Sequence, residues 1–339
     1  MFKPVFYFFT ALALSICSSI HAAETVDIKY TSYRPTLREF ISGDFKKQPS
    51  TLTAKLTLPS GKGPFPVLVW VHGTGGQSFY EDNGWMTRLK KISLERGVAV
   101  YVVDSYTERG ISMEDAMSGK VILNMAARLT DTFTASNALA KDSRIDRNKM
   151  FVTGHSFGGL VSITSASTTV INAVKELGVT FAGHIPLSPE CLTRPHDMSY
   201  DGKPMLIIVG EKDELTPANH CVKLVEEMKP NTNVNIKIIN NGTHTLISKE
   251  GKPFKSNMYG YDGCGRWVFD AKGAYTLPDR GGVNNGTGEN YSKDVVNEFN
   301  KVVSSCAKLS STQEVPSDKG RDEVESLIGG YLDKYVVSH

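Results

Sequence analysis

The chain has 339 residues, 40% of them hydrophobic and 22% charged, which is the composition of an ordinary globular protein with one large domain and additions. Its formal net charge of +2 comes from 38 basic and 36 acidic residues with no long run of either sign, so it carries no electrostatic footprint for nucleic acid. Low-complexity stretches and fixed-period repeats are absent from the sequence.

The first segment, "MFKPVFYFFTALALSICSSIHAAET", joins Lys3 to an apolar run of about 13 residues and ends in small residues. This predicts a signal peptide over residues 1–23, cleaved near Ala22 or Ala23, and hence a secreted or periplasmic protein. A membrane anchor needs about 20 apolar residues, which neither this run nor any later segment supplies. Cys17 is a poor lipidation site because bulky Ile16 precedes it. Cleavage leaves Cys191, Cys221, Cys264 and Cys306, an even number in a compartment that permits disulfides, with no C-x-x-C spacing of a zinc or redox site. Free buried thiols are the alternative. Glycosylation sequons begin at Asn241 and Asn285, and a glycan at Asn241 would crowd His244, which favours a bacterial envelope.

Behind the signal, residues 51–59 alternate like a half-exposed strand, and 65–73 form a continuous apolar run suited to a buried central strand. Further strands are expected at 97–104, 149–154, 181–188, 204–210 and 233–240, with helices near 83–96, 118–140, from Phe157, and near 217–228. Strands alternating with helices predict an α/β fold with a mostly parallel sheet covered on both faces, and ligands at the carboxyl ends of its strands. This domain is expected over 24–308. Within it, 255–290 is glycine-rich and reads as a lid or a surface insertion, followed by a helix from about Tyr291 to Lys308. Residues 309–339 read as a polar linker and one amphipathic helix near 320–336.

The segment G-H-S-F-G places Ser156 between glycines after a buried strand and before a helix, the setting of a nucleophile elbow. A serine hydroxyl needs a base, and the base needs a carboxylate to orient it. Asp213 follows the strand 204–210 and His244 follows the strand 233–240, so all three project from one sheet edge in the order Ser, Asp, His. Glu211 and Glu214 read as solvated loop charges. His220 lies only seven residues past Asp213 in a helix, His155 packs beside the elbow strand, and His184 reads as a core histidine. In "HGTGG" (72–76) the glycines free an N–H of Gly73 or Thr74 to join that of Phe157 in an oxyanion hole. A phosphate cradle would need a Lys-Ser/Thr that this loop lacks.

"HGTGG", "DSYTERG" (104–110), "GHSFGG" (154–159), "SPEC" (188–191), "GEKDELTPANHC" (210–221) and "NGTHTL" stand in an order and spacing that resembles the dienelactone hydrolase-like branch of the α/β-hydrolases, over roughly residues 50–250. The resemblance implies an α/β-hydrolase fold and Ser156, Asp213 and His244 as the triad. It departs where dienelactone hydrolases carry cysteine in place of Ser156, and in the longer glycine-rich segment after His244. Arg109, in the matched "TERG", suits a substrate carboxylate or a structural ion pair. Glu190 lines the pocket or caps the loop before Cys191.

The function expected is a serine hydrolase cleaving a small-molecule carboxylic ester through an acyl-enzyme, with no cofactor and no metal. A peptidase or acyltransferase on the same triad is the alternative within enzymes, and a non-catalytic binding protein the alternative outside them. Cys191 and Cys221 both follow elements at one sheet edge, where their Cα atoms approach within about 6 Å and predict a disulfide. Cys264 and Cys306 are the second expected pair. Neither the acyl and alcohol parts nor the oligomeric state is legible.

Overall fold

The computed structural model describes residues 23–118, 120–121, 123–228, 230, 232–246, 254–255, 259–276, 278–280, 305–309, 312–313 and 318–337. The expected signal segment before Ala23 and most of the expected helix from Tyr291 lie outside the described residues.

Nine strands carry the fold: β1 (Glu24–Ser32), β2 (Ser50–Leu58), β3 (Phe65–Val71), β4 (Ala99–Val103), β5 (Ile145–His155), β6 (Gly183–Leu187), β7 (Thr193–Pro195), β8 (Met205–Gly210) and β9 (Val234–Ile239). Eight of them form one sheet in the order β1-β2-β4-β3-β5-β6-β8-β9. The β1–β2 and β2–β4 pairs are antiparallel, and every pair from β4 to β9 is parallel. Between and after the strands run α1 (Leu37–Ile41), α2 (Gly76–Asp82), α3 (Trp85–Leu94), α4 (Met113–Met117), α5 (Met125–Leu139), α6 (Phe157–Thr164), α7 (Thr168–Ala173), α8 (Ala218–Met228) and α9 (Asp318–Leu332).

The apolar run of β3 is buried on both faces because alternate residues serve different layers. Val67, Val69 and Val71 pack with Leu129 and Phe133 of α5 and Leu160 and Val161 of α6. Leu68 and Trp70 face the opposite way, onto Trp85, Met86 and Leu89 of α3 and Val324 and Ile328 of α9. The C-terminal helix therefore belongs to the same core as the sheet. It is held further by the Tyr331 hydroxyl, which donates to Pro204 O at 2.7 Å and accepts from His184 N at 3.1 Å.

The described parts of 255–290 are stitched to the segments that follow β6 and β8. Trp267–Phe269 pairs in parallel with β7, and Tyr261 N donates to Leu215 O at 3.2 Å. Cys264 is bonded to Cys306, and Arg266 is paired with Asp279. Cys191 and Cys221 form the other disulfide, with Cα atoms 5.0 Å apart, linking the loop after β6 to α8.

Candidate active site

Ser156 stands between β5 and α6 with φ 57° and ψ −118°, a conformation that costs a non-glycine residue energy. The turn is possible because its flanks have no side chains. A Cβ at Gly154 would lie 2.5 Å from both Gly158 O and Val71 O, and one at Gly158 only 2.0 Å from Val71 O. Ser156 N donates to Leu187 O at 2.9 Å, so the elbow is pinned to the neighbouring strand. The serine is half-buried, and its hydroxyl forms no hydrogen bond among the described residues.

Asp213 and His244, on the loops after β8 and β9, meet at this edge. His244 Nδ1 lies 2.8 Å from Asp213 Oδ2, with both residues buried. Since a carboxylate only accepts, Nδ1 carries a proton, and in the neutral ring Nε2 is the nitrogen with the free lone pair. Asp213 Oδ1 accepts the backbone N–H of Leu215 and Thr216 at 3.0 and 2.9 Å, and the Thr216 hydroxyl reaches Oδ2 at 2.8 Å. Burial pushes the Asp213 carboxyl up, but the attraction of His244 and the donors from His244 and Thr216 outweigh it and hold the group below the usual carboxylate range. The acid is ionised and oriented.

The "HGTGG" loop passes beside the elbow, so close that a Cβ on Gly73 would lie 3.1 Å from Ser156 Cβ. Gly73 N donates to Tyr80 Oη at 3.0 Å, whereas Thr74 N and Phe157 N have no acceptor among the described residues. Phe157 opens α6, where N–H groups are left over by helix geometry and favour negative charge.

Other candidates from the sequence have partners elsewhere. Arg109 closes a two-pronged ion pair on buried Asp131, at 2.7 and 2.8 Å, and donates to Ser105 O, so its guanidinium fork holds the loop after β4 to α5. Glu190 Oε1 accepts from Leu192 N, and its carboxylate from Thr193 N at 3.2 Å; burial pushes its carboxyl up against these donors. This is the loop-capping geometry. His220 Nε2 meets Tyr261 O at 3.0 Å, and burial lowers its affinity for a proton. His184 is a buried strand residue with Nδ1 at 3.0 Å from Ser162 O.

Three residues that the sequence left unmarked join the site. Thr216 closes a turn on Asp213, a signal present in the spacing of "DELT", because Asp side chains bond backbone N–H groups two and three residues on. Tyr80 reaches back from α2 to Gly73 of the "HGTGG" loop, and nothing local in the sequence marks it. Arg128 of α5 is fully buried, donates from Nη2 to His72 O, and stacks between the Tyr106 and Phe157 rings at 5.4 and 5.5 Å from their centroids.

Residues 65–258 match the alpha/beta hydrolase domain family. A curated relative, esterase EstD of Thermotoga maritima, is 23% identical over 248 residues, which are 59% of this chain and 59% of the esterase. The chain thus spans well under two thirds of the length of that relative. Among solved structures, dienelactone hydrolase from Anabaena variabilis is similar at 15% identity, covering 68% of this chain and 91% of that one, with a TM-score of 0.47. An acylaminoacyl peptidase from Pyrococcus horikoshii is similar at 14% identity over 67% of this chain and 38% of that one, with a TM-score of 0.46. The chain belongs to the α/β-hydrolase family, as its motifs led one to expect.

Proposed function

We propose that the protein is a secreted or periplasmic carboxylic ester hydrolase that works through a covalent acyl intermediate on Ser156. Ser156 Oγ attacks the ester carbonyl carbon while His244 Nε2 takes its proton, and Asp213 stabilises the imidazolium that forms. The carbonyl oxygen, now negative, is met by the N–H of Phe157 and of Thr74, an arrangement worth several kcal/mol at the transition state. His244 then returns the proton to the leaving alcohol. A water molecule, deprotonated by the same nitrogen, releases the acid and restores Ser156.

The observation that carries this reading is the buried Asp213–His244 pair, 2.8 Å apart, at the sheet edge where Ser156 is held at positive φ. Strain at one serine and a fixed tautomer at a neighbouring histidine have no joint structural purpose, whereas a nucleophile and its base require both. The esterase name of the Thermotoga relative supports an ester over an amide substrate. Export is supported by the two disulfides.

The test is hydrolysis of a panel of nitrophenyl esters graded by acyl length and charge, by the full chain and by Ser156→Ala. The reading expects turnover that Ser156→Ala abolishes without loss of fold. Equal turnover by both proteins would refute it.

A further inference from the structure

We infer that Tyr80 and His155 form a buried hydrogen-bond relay that locks the oxyanion loop to the base loop, and that this relay leaves Thr74 rather than Gly73 as the second oxyanion donor. The inference rests on the catalytic reading above and assigns two positioning residues to it. Neither residue touches the reacting atoms.

The protons of the relay can be assigned one by one. The backbone oxygen of His244 only accepts, so His155 Nε2, 2.5 Å away, carries a proton and donates it. His155 Nδ1 is then the acceptor of the ring, and Tyr80 Oη, at 2.9 Å, donates to it. With its hydrogen committed, Tyr80 Oη accepts from Gly73 N at 3.0 Å. Each link has a single polarity, and the chain runs unbroken from Gly73 to His244. Tyr80, His155 and His244 are all buried, so water does not compete for these bonds.

A second histidine sets the plane of the next peptide. Ser105 N donates to His72 Nε2 at 3.2 Å, which leaves His72 Nδ1 protonated and donating to Gly73 O at 2.7 Å. Gly73 O also accepts from Gly76 N at 3.2 Å. A trans peptide points its C=O and N–H in opposite directions, so fixing Gly73 O aims Thr74 N–H the other way. On the preceding peptide, Arg128 holds His72 O while Tyr80 holds Gly73 N–H. Both peptides are pinned, and the Thr74 N–H stays open.

Both rings must remain neutral for these polarities to persist. Burial, helped by the nearby His244, lowers His155 to about 3, and burial with Arg128 lowers His72 to about 3. The two histidines thus keep opposite tautomers, Nε2–H on His155 and Nδ1–H on His72, across neutral and mildly acid pH.

Two measurements on the full chain test the relay. The first reads histidine tautomers by nitrogen NMR, assigned with His72 and His155 variants, and does not depend on activity. His155 protonated on Nε2 and His72 on Nδ1 supports the assignment, and Nδ1–H on His155 overturns it. The second separates kcat from KM on a small activated ester. Tyr80→Phe removes one hydroxyl and should lower kcat by about tenfold or more, with KM changed less than about twofold, because misplacement of the machinery is felt in the transition state. His155→Gln, whose amide can still donate to His244 O, should keep more kcat than His155→Leu, which also serves where Tyr80→Phe does not fold. A folded Tyr80→Phe with wild-type kcat, or Gln and Leu variants with equal kcat, would overturn the relay. A wild-type chain that hydrolyses no ester while the tautomers hold would overturn the catalytic reading instead.

Discussion

Gly158 lies so close under Val71 O that a Cβ on it would come within 2.0 Å of that oxygen, which ties the first turn of α6 to the end of β3. Helix α6 and strand β3 therefore meet at a contact that admits no side chain. Gly158→Ala must push the first turn of α6 away from the end of β3. A loss of about 1–3 kcal/mol in urea unfolding is expected, as for other overpacked sites, together with loss of ester turnover in the folded protein. A variant of wild-type stability would show that the elbow tolerates the methyl group.

Asp213 fixes the tautomer of His244, so replacing it with an amide that can present N–H to Nδ1 should favour the wrong one. Asp213→Asn is expected to keep the fold and to lower kcat by up to about 10⁴-fold. His244→Ala should cost as much as Ser156→Ala, and the double variant no more than either, because triad members act as a unit. Steady-state kinetics on the four proteins checks this.

The disulfide between Cys191 and Cys221 closes 30 residues that include β8 and the Asp213 loop. Replacing both cysteines with serine should lower stability by about 3 kcal/mol through the unfolded chain. Activity at low temperature should fall less than stability does, since neither disulfide includes or bonds to Ser156, Asp213 or His244. Chemical unfolding curves, with peptide mapping of the wild type under non-reducing conditions, measure both points.

Acid should weaken the fold in a defined window. His72 and His155 are held down to about 3 in the folded chain against about 6.5 when exposed, so the unfolded state binds more protons between those values. Their contribution is fully present above about pH 6.5 and is lost as pH falls toward 3, at up to about 1.4 kcal/mol per pH unit for each ring. Asp213, held below its ordinary value by His244 and Thr216, adds a loss that begins near the ordinary carboxylate value of 3.8 and grows as pH falls further. Urea midpoints at a series of pH values should fall through this window, and a His155→Gln variant should show a shallower slope.

The parallel strands were legible because burial on both faces writes itself as continuous apolar runs, as in β3 and β4. Their ends fell within a few residues of expectation, and Ser156, Asp213 and His244 could be placed by the loops that follow β5, β8 and β9. The antiparallel edge strand β1 was missed: "ETVDIKYTS" alternates over only part of its length and follows directly on the signal segment. Arg109 was ambiguous because its partner, Asp131, lies a helix away. Tyr80, Arg128 and the roles of His72 and His155 were beyond sequence reasoning. Their importance comes from contacts between residues up to 89 positions apart, which no local spacing encodes.

The central claim, that Ser156 is an activated nucleophile, is tested most directly by a fluorophosphonate probe on the purified full chain, with the labelled peptide identified by mass spectrometry. The account predicts a single adduct on Ser156, absent in Ser156→Ala and strongly slowed in His244→Ala. Failure of the folded wild-type protein to take the probe, or an adduct on another residue, would contradict it.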